Sequence, residues 1–173
     1  MKVIVLDIDR TLVDSVLTRR IKEEWKEKFE WFIYDEYTVF LRPKVREFIK
    51  FLYEQNYTVG IFTAGSNNYA TRIVNQLFKD YKLHFVFSNM EYEDSFDMYG
   101  KLKAMEYVVY RYPEFKVEDC LLIDDSSRIK KYLGERCYNI KKFVVCFDNA
   151  DVFNPLSESD NGLVECMEWL KKE

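Results

Sequence analysis

Short, continuous apolar runs alternate along this chain with longer stretches in which apolar residues recur every three or four positions. Val3-Ile4-Val5-Leu6 is β-branched and ends at Asp7, the pattern of a strand covered on both faces. Similar runs occur at Thr58–Phe62, Phe85–Phe87, Leu121–Ile123 and Phe143–Phe147, the last ending at Asp148. Between them the period changes. Pro43 suits a first helical turn, where a missing N–H costs nothing, and Val45, Phe48, Ile49 and Leu52 follow at helical spacing. Further helices are predicted over residues 67–81, 102–112, 126–133 and 163–172. Strands alternating with helices predict an α/β fold, with a mainly parallel central sheet flanked by helices.

Two stretches interrupt the alternation. Residues 28–41, with Tyr34-Asp35-Glu36-Tyr37 as a turn between aromatic-rich strands, and residues 88–99 both read as small hairpin insertions. The polar run 149–162, which contains Pro155, reads as a surface loop. No repeat, low-complexity tract or linker divides the chain, so one domain is expected over residues 1–173.

Composition narrows the functional classes. With 48% hydrophobic residues and only 5 Gly and 3 Pro, the chain has the makings of a packed core rather than a disordered segment. The net charge of -4 comes from 26 basic and 30 acidic side chains, interspersed, which argues against a nucleic-acid partner. Thr18-Arg19-Arg20-Ile21-Lys22 and Lys130-Lys131 read as solvated helix faces. Cys120, Cys137, Cys146 and Cys166 show no CxxC pairing and read as reduced core thiols. The apolar N-terminal run is too short for a signal sequence or a membrane span. A soluble, intracellular protein of nucleus or cytoplasm, with no membrane partner, is therefore expected.

Open α/β sheets bind ligands at the carboxyl ends of their strands. Three predicted strands end there in Asp7-Ile8-Asp9-Arg10-Thr11, Thr63-Ala64-Gly65-Ser66 and Asp124-Asp125-Ser126. Taken singly, each of these would equally serve as a turn or helix cap. Gathered together, four carboxylates cannot all stay ionised without a cation. Oxygen ligands favour a hard ion such as Mg²⁺, which also neutralises a transferring phosphoryl group.

DIDRTLV fits the DxDxT/V signature of haloacid-dehalogenase phosphatases, with Thr63, a lysine near position 101 and Asp124-Asp125 following in the order of that superfamily's later motifs. LRPKVREFIKFL, IFTAGSNNYA, IDDSS and CFDN further resemble stretches of the FCP/SCP-type phosphatases, which act on the carboxy-terminal domain of RNA polymerase II and related phosphoproteins. The resemblance runs from Asp7 to Asn149. It implies a Rossmann-like fold of the haloacid-dehalogenase kind with hairpin insertions. The stretch between the first motif and Pro43 is too short for a large cap domain.

The resemblance also implies roles. Asp7 would be the nucleophile, forming a phospho-aspartyl enzyme, and Asp9 the acid and then the base. Asp7, the backbone carbonyl of Asp9, and Asp125 would hold Mg²⁺, with Asp124 orienting the lysine and the ion's water shell. Thr63 and Lys101 would bind phosphoryl oxygens, with Arg10, Thr11, Ala64 and Gly65 also facing substrate. Spacing does not separate Lys101 from Lys103. Lys101 is favoured because Tyr99-Gly100-Lys101 looks like the family's Tyr-x-Lys. Arg10 stands where Glu or Gly is common. His84 reads as a packing or surface residue, and the aromatics from Trp25 to Tyr37 as hairpin packing; in the family, the insertion there helps form a hydrophobic pocket. An open site points to a protein serine/threonine phosphatase acting on a phosphoprotein or phosphopeptide. The other readings are a small-molecule or nucleic-acid-end phosphatase, and a silent binding module.

Overall fold

In a computed structural model that describes residues 2–147 and 151–173, strands and helices alternate as the pattern predicts. The chain begins with β1 (Val3–Leu6), β2 (Val13–Leu17), a single turn α1 (Glu23–Lys26), and the hairpin strands β3 (Trp31–Tyr34) and β4 (Tyr37–Leu41). The middle holds α2 (Val45–Glu54), β5 (Thr58–Phe62), α3 (Asn67–Leu77), β6 (Phe85–Phe87), α4 (Asn89–Tyr99) and α5 (Met105–Arg111). The last part holds β7 (Cys120–Asp124), α6 (Ser127–Leu133), β8 (Cys137–Asn139), the short pair β9 (Cys146–Phe147) and β10 (Val152–Phe153), and α7 (Gly162–Leu170).

The central sheet is parallel throughout, in the order β6-β5-β1-β7-β8. Because successive side chains of a strand face opposite ways, β1 supplies two cores. Ile4 and Leu6 pack with Val45, Phe48, Ile73, Leu77, Leu163 and Leu170 of α2, α3 and α7. Val3 and Val5 pack on the other face with Met105, Val108, Ile129 and Leu133 of α5 and α6. Each such buried side chain contributes roughly 1.5–3 kcal/mol, so the strand carrying Asp7 is held firmly from both sides. Leu6 lies in register with Ile61 of β5 and Ile123 of β7. The tips of these neighbouring strands therefore open at one place.

A second, antiparallel sheet, β2-β4-β3, follows the first turn of chain and includes the expected hairpin, with Asp35 at its tip in a left-handed conformation (φ 47°). Among the described residues no large cap domain interrupts the fold. No described helix is long and apolar enough to cross a membrane. The four cysteines are buried, as their apolar neighbours suggest. His84 packs edge-on to Tyr112 and bonds Glu114 at 3.1 Å.

Three expectations need correction. Residues 88–99 form the helix α4 and not a hairpin: Ser88 N–H donates to Glu91 Oε2 at 2.9 Å as an N-terminal cap, and Gly100 ends the helix at φ 65°. Its inner face buries only Ser95, so no apolar stripe announces it. Residues 143–147 do not supply the fifth central strand, which is β8. Phe143, Val145 and Cys146 are apolar because they pack on Trp25 and Phe40 beneath the second sheet. Of the expected loop 149–162, the described residues 151–162 are less loop-like, since they hold β10 and a turn at Pro155–Ser157. Asp148 and Asn149 of the CFDN stretch lie outside the described residues.

Candidate active site

Asp7 leaves β1 with its N–H bonded to the Ile123 carbonyl (3.0 Å), which continues the ladder with β7 and fixes the carboxylate over the sheet's end. The chain then turns tightly. Leu12 N–H donates to Ile8 O at 2.8 Å, and Arg10 adopts φ 61°. This turn brings the buried Thr11 hydroxyl back to Asp7 Oδ2 at 3.1 Å. Asp124, the last residue of β7, accepts from Ser126 N–H at 2.8 Å, while Ser126 caps α6. Asp7, Asp124 and Asp125 each present a carboxylate oxygen within 4.8 Å of the others.

The ammonium in this cluster belongs to Lys103, which donates to Asp7 Oδ1 at 2.5 Å and Asp124 Oδ2 at 2.6 Å. Lys101, favoured from sequence, is not part of it; its ammonium is half-exposed and pairs with Glu106 at 3.2 Å. The cause is the turn between α4 and α5. The buried Ser95 hydroxyl donates to Lys101 O (2.9 Å) and accepts from Ala104 N–H (2.8 Å), and Tyr132 bonds Leu102 O. Lys103 takes a left-handed conformation (φ 51°), and its side chain turns inward between those anchors.

Burial pushes the Asp7 carboxyl up to about 7 against the pull of Lys103, with Asp124 and Asp9 adding to the rise. Burial alone would discharge Lys103, but the carboxylates of Asp7 and Asp124 outweigh it and hold the ammonium above its usual range. Burial also raises Asp125, with Asp124 as the next cause. Three clustered carboxylates thus face one buried ammonium, and the excess negative charge sits where it is poorly solvated. An all-oxygen donor set with this charge fits a hard divalent cation.

Asp9 stands beside the cluster, its carboxyl raised by burial and held back by a hydrogen bond from Tyr69. The Tyr69 hydroxyl lies 2.6 Å from Asp9 Oδ1 and 2.7 Å from Ser15 Oγ, and burial keeps this phenol far from ionising. Thr63, just past β5, is fully buried; its N–H bonds Phe87 O, and its hydroxyl accepts from Gly65 N–H at 3.0 Å. Ala64 is exposed beside it. Asp9 also borders two open clefts. One, of about 340 Å³, is lined by Ser15, Tyr34, Tyr37, Ser66 and Tyr69. The other, of about 350 Å³, includes Arg10, Asp14 and Arg20.

The sequence family described as NLI interacting factor-like phosphatase matches residues 2–172. The chain belongs to that family. The "Putative CTD phosphatase-like protein 355R" of Invertebrate iridescent virus 6 is 30% identical over 158 residues, 83% of this chain and 86% of that protein. Its namesake in Invertebrate iridescent virus 3 is 24% identical, over 98% of this chain and 95% of that one. Among solved structures, a variant of the fission yeast RNA polymerase II CTD phosphatase Fcp1 bound to beryllium fluoride gives a TM-score of 0.59 at 19% identity. It spans 98% of this chain and 51% of that one, about half the Fcp1 length. The 3-deoxy-D-manno-octulosonate 8-phosphate phosphatase of Moraxella catarrhalis, in complex with magnesium, phosphate and KDO, gives 0.52 at 13% identity, over 99% of this chain and 86% of that one. At these identities the likeness is one of fold, the haloacid-dehalogenase fold.

In this NLI interacting factor-like phosphatase, two residues that shape the site carry no role in the sequence reading. Arg42, 1% exposed, donates to both carboxylate oxygens of Asp160 (2.7 and 2.9 Å), to Thr11 O (3.0 Å) and to Lys141 O (2.7 Å). It thereby fastens the turn after Asp7 from behind. The Arg-Pro of LRPKV was its signal, since a charged residue inside an apolar stretch needs a buried partner. Tyr69 is the second. Its place three residues after the cap Ser66 put its ring on the face of α3 nearest the strand tips.

Proposed function

We propose that this chain is a Mg²⁺-dependent phosphomonoester hydrolase that works through a phospho-aspartyl intermediate, with phosphoserine or phosphothreonine in protein as substrate. The observation that carries the reading is the convergence of Asp7, Asp124, Asp125 and Lys103 at adjacent strand tips, with Asp9 bordering open clefts.

Asp7 is the nucleophile: its carboxylate attacks phosphorus in line with the leaving oxygen. Asp9 protonates that oxygen as the P–O bond breaks. It then takes a proton from the water that hydrolyses the acyl phosphate. Lys103 and Thr63 bind phosphoryl oxygens, and Lys103 takes the role that the resemblance to the family's Tyr-x-Lys gave to Lys101. Asp7, the Asp9 backbone carbonyl and Asp125 would hold Mg²⁺, with Asp124 orienting Lys103. When bound, the ion neutralises charge on the phosphoryl group. The preference for a macromolecular substrate is supported by the aromatic cleft of about 340 Å³, open beside Asp9 with no cap over it among the described residues, and by the names of the viral relatives.

The test is a panel of phosphopeptides, sugar phosphates and nucleotides assayed with and without Mg²⁺, using the unaltered chain and Asp7→Asn. Phosphopeptides are expected to show the highest kcat/KM, and Asp7→Asn none. Activity that survives in Asp7→Asn removes the nucleophile, and equal rates across the panel remove the protein substrate.

A further inference from the structure

The Tyr69 hydroxyl is held between Asp9 and Ser15. Its helix starts at Ser66, whose side chain accepts from Tyr69 N–H at 3.3 Å, and its ring meets the Tyr34 ring edge-on at 5.4 Å. Gly65 leaves the ring room, because a Cβ there would stand 2.7 Å from Tyr69 Cδ1. A phenol has one proton to give. With a carboxylate on one side and an alcohol on the other, the proton goes to Asp9 Oδ1, and Ser15 Oγ–H donates to the phenol oxygen. The chain of donors thus runs Ser15 to Tyr69 to Asp9. It begins on β2 and ends on the turn after β1.

A carboxyl swings about a broad, two-fold torsion, so unrestrained it offers either oxygen in many orientations. Fixing Oδ1 selects Oδ2, which takes no hydrogen bond from the described residues. We propose that Tyr69 is a positioning residue for the acid step: it pins Asp9 Oδ1, so that Oδ2 bears the proton and meets the leaving oxygen. The proposal rests on the reading of Asp9 as general acid. In that step the Oδ2–H bond breaks and its proton joins the serine or threonine oxygen. The P–O bond to that oxygen breaks, and the bond from an Asp7 oxygen to phosphorus forms. Tyr69 keeps its own proton throughout.

The contacts also tie the hairpin to this step. Tyr34 touches the Tyr69 ring and lines the same cleft as Asp9.

An acid matters most when the leaving group is poor. Tyr69→Phe removes one hydroxyl and keeps the ring, and kcat/KM reports the first transfer because it covers steps through departure of the leaving group. The experiment measures kcat/KM for aryl phosphates of graded leaving-group pKa and for a phosphoserine peptide, in the unaltered chain, Tyr69→Phe, Ser15→Ala and Asp9→Asn. The ratio of p-nitrophenyl phosphate to phosphoserine rates is expected to rise about tenfold in Tyr69→Phe, less in Ser15→Ala and most in Asp9→Asn. A steeper slope for Asp9→Asn alone, with parallel lines for Tyr69→Phe and Ser15→Ala, overturns the positioning role and leaves the acid in place. Parallel lines for all variants remove the acid reading of Asp9 itself, and the positioning role with it. Should Tyr69→Phe not fold, Ser15→Ala makes the same comparison, and an unchanged slope there counts against the proposal.

Discussion

The Lys103 ammonium reaches Asp7 Oδ1 at 2.5 Å, while Lys101, two residues earlier, faces away to Glu106. Removing an ammonium that bridges two buried carboxylates leaves both uncompensated, whereas a half-exposed pair away from the cluster matters less. Lys103→Ala is expected to lower kcat/KM for p-nitrophenyl phosphate by about a hundredfold or more. Lys101→Ala should stay within about threefold of the unaltered chain. Steady-state kinetics on both variants, with circular dichroism to confirm folding, decides between them; a larger loss for Lys101→Ala would restore the assignment made from Tyr99-Gly100-Lys101.

Ser95 organises the turn that delivers Lys103. In Ser95→Ala the Ala104 N–H and the Lys101 carbonyl lose their common partner in a buried place, a cost of about 1–3 kcal/mol. Urea unfolding is expected to show that loss, accompanied by a lower kcat as the turn loosens. An unchanged midpoint would mean that the turn is held by the rest of α4.

Arg42 and Asp160 form an ion pair with side chains 0% and 9% exposed. Arg42→Met strands Asp160 and frees the Thr11 carbonyl, and is expected to cost about 3–5 kcal/mol in urea unfolding. Gly162→Ala tests the same contact from the other side. A Cβ there would lie 2.3 Å from Arg42 Nη2, whose several bonds keep it from yielding, and the expected cost is about 1–3 kcal/mol. Wild-type stability in Gly162→Ala would show that the guanidinium can shift.

Burial pushes the Asp7 carboxyl of the folded chain up to about 7, against 3.8 for an ordinary aspartate. The folded state therefore holds this proton more tightly than the unfolded state does. The stability that this group contributes is full below about pH 3.8 and is lost as pH rises toward about 7. A cation that takes the ionised carboxylate reverses the trend. Mg²⁺ is expected to raise the melting temperature more at about pH 8 than at about pH 5.5, with apparent affinity falling by up to about tenfold per pH unit below 7. Thermal-shift titrations with MgCl₂ at the two pH values check this, with Asp7→Asn as control; equal shifts would contradict it.

The buried strands were the most legible elements in the sequence, because β1, β5 and β7 are covered on both faces and read as unbroken apolar runs. Edge and satellite pieces were less so. β8 is three residues with only Cys137 buried, while Phe143 to Phe147 looks like a better strand yet serves another core. α4 hid because its inner face is polar, although Ser88 and Glu91 carried the capping signal. Asp7, Asp9, Thr63 and Asp124 could be named because each ends a strand or lies within three residues of a strand's end. Lys103 could not, since its direction depends on a left-handed backbone and on a serine eight residues earlier. Tyr69 and Arg42 act through other groups, and only their partners, far away in sequence, reveal what they do.

Arg42 ties the turn behind Asp7 to Asp160, which the ribosome adds long after the strand and loop it secures. Until residue 160 has been made, a growing chain would carry its acidic groups on an unfastened turn.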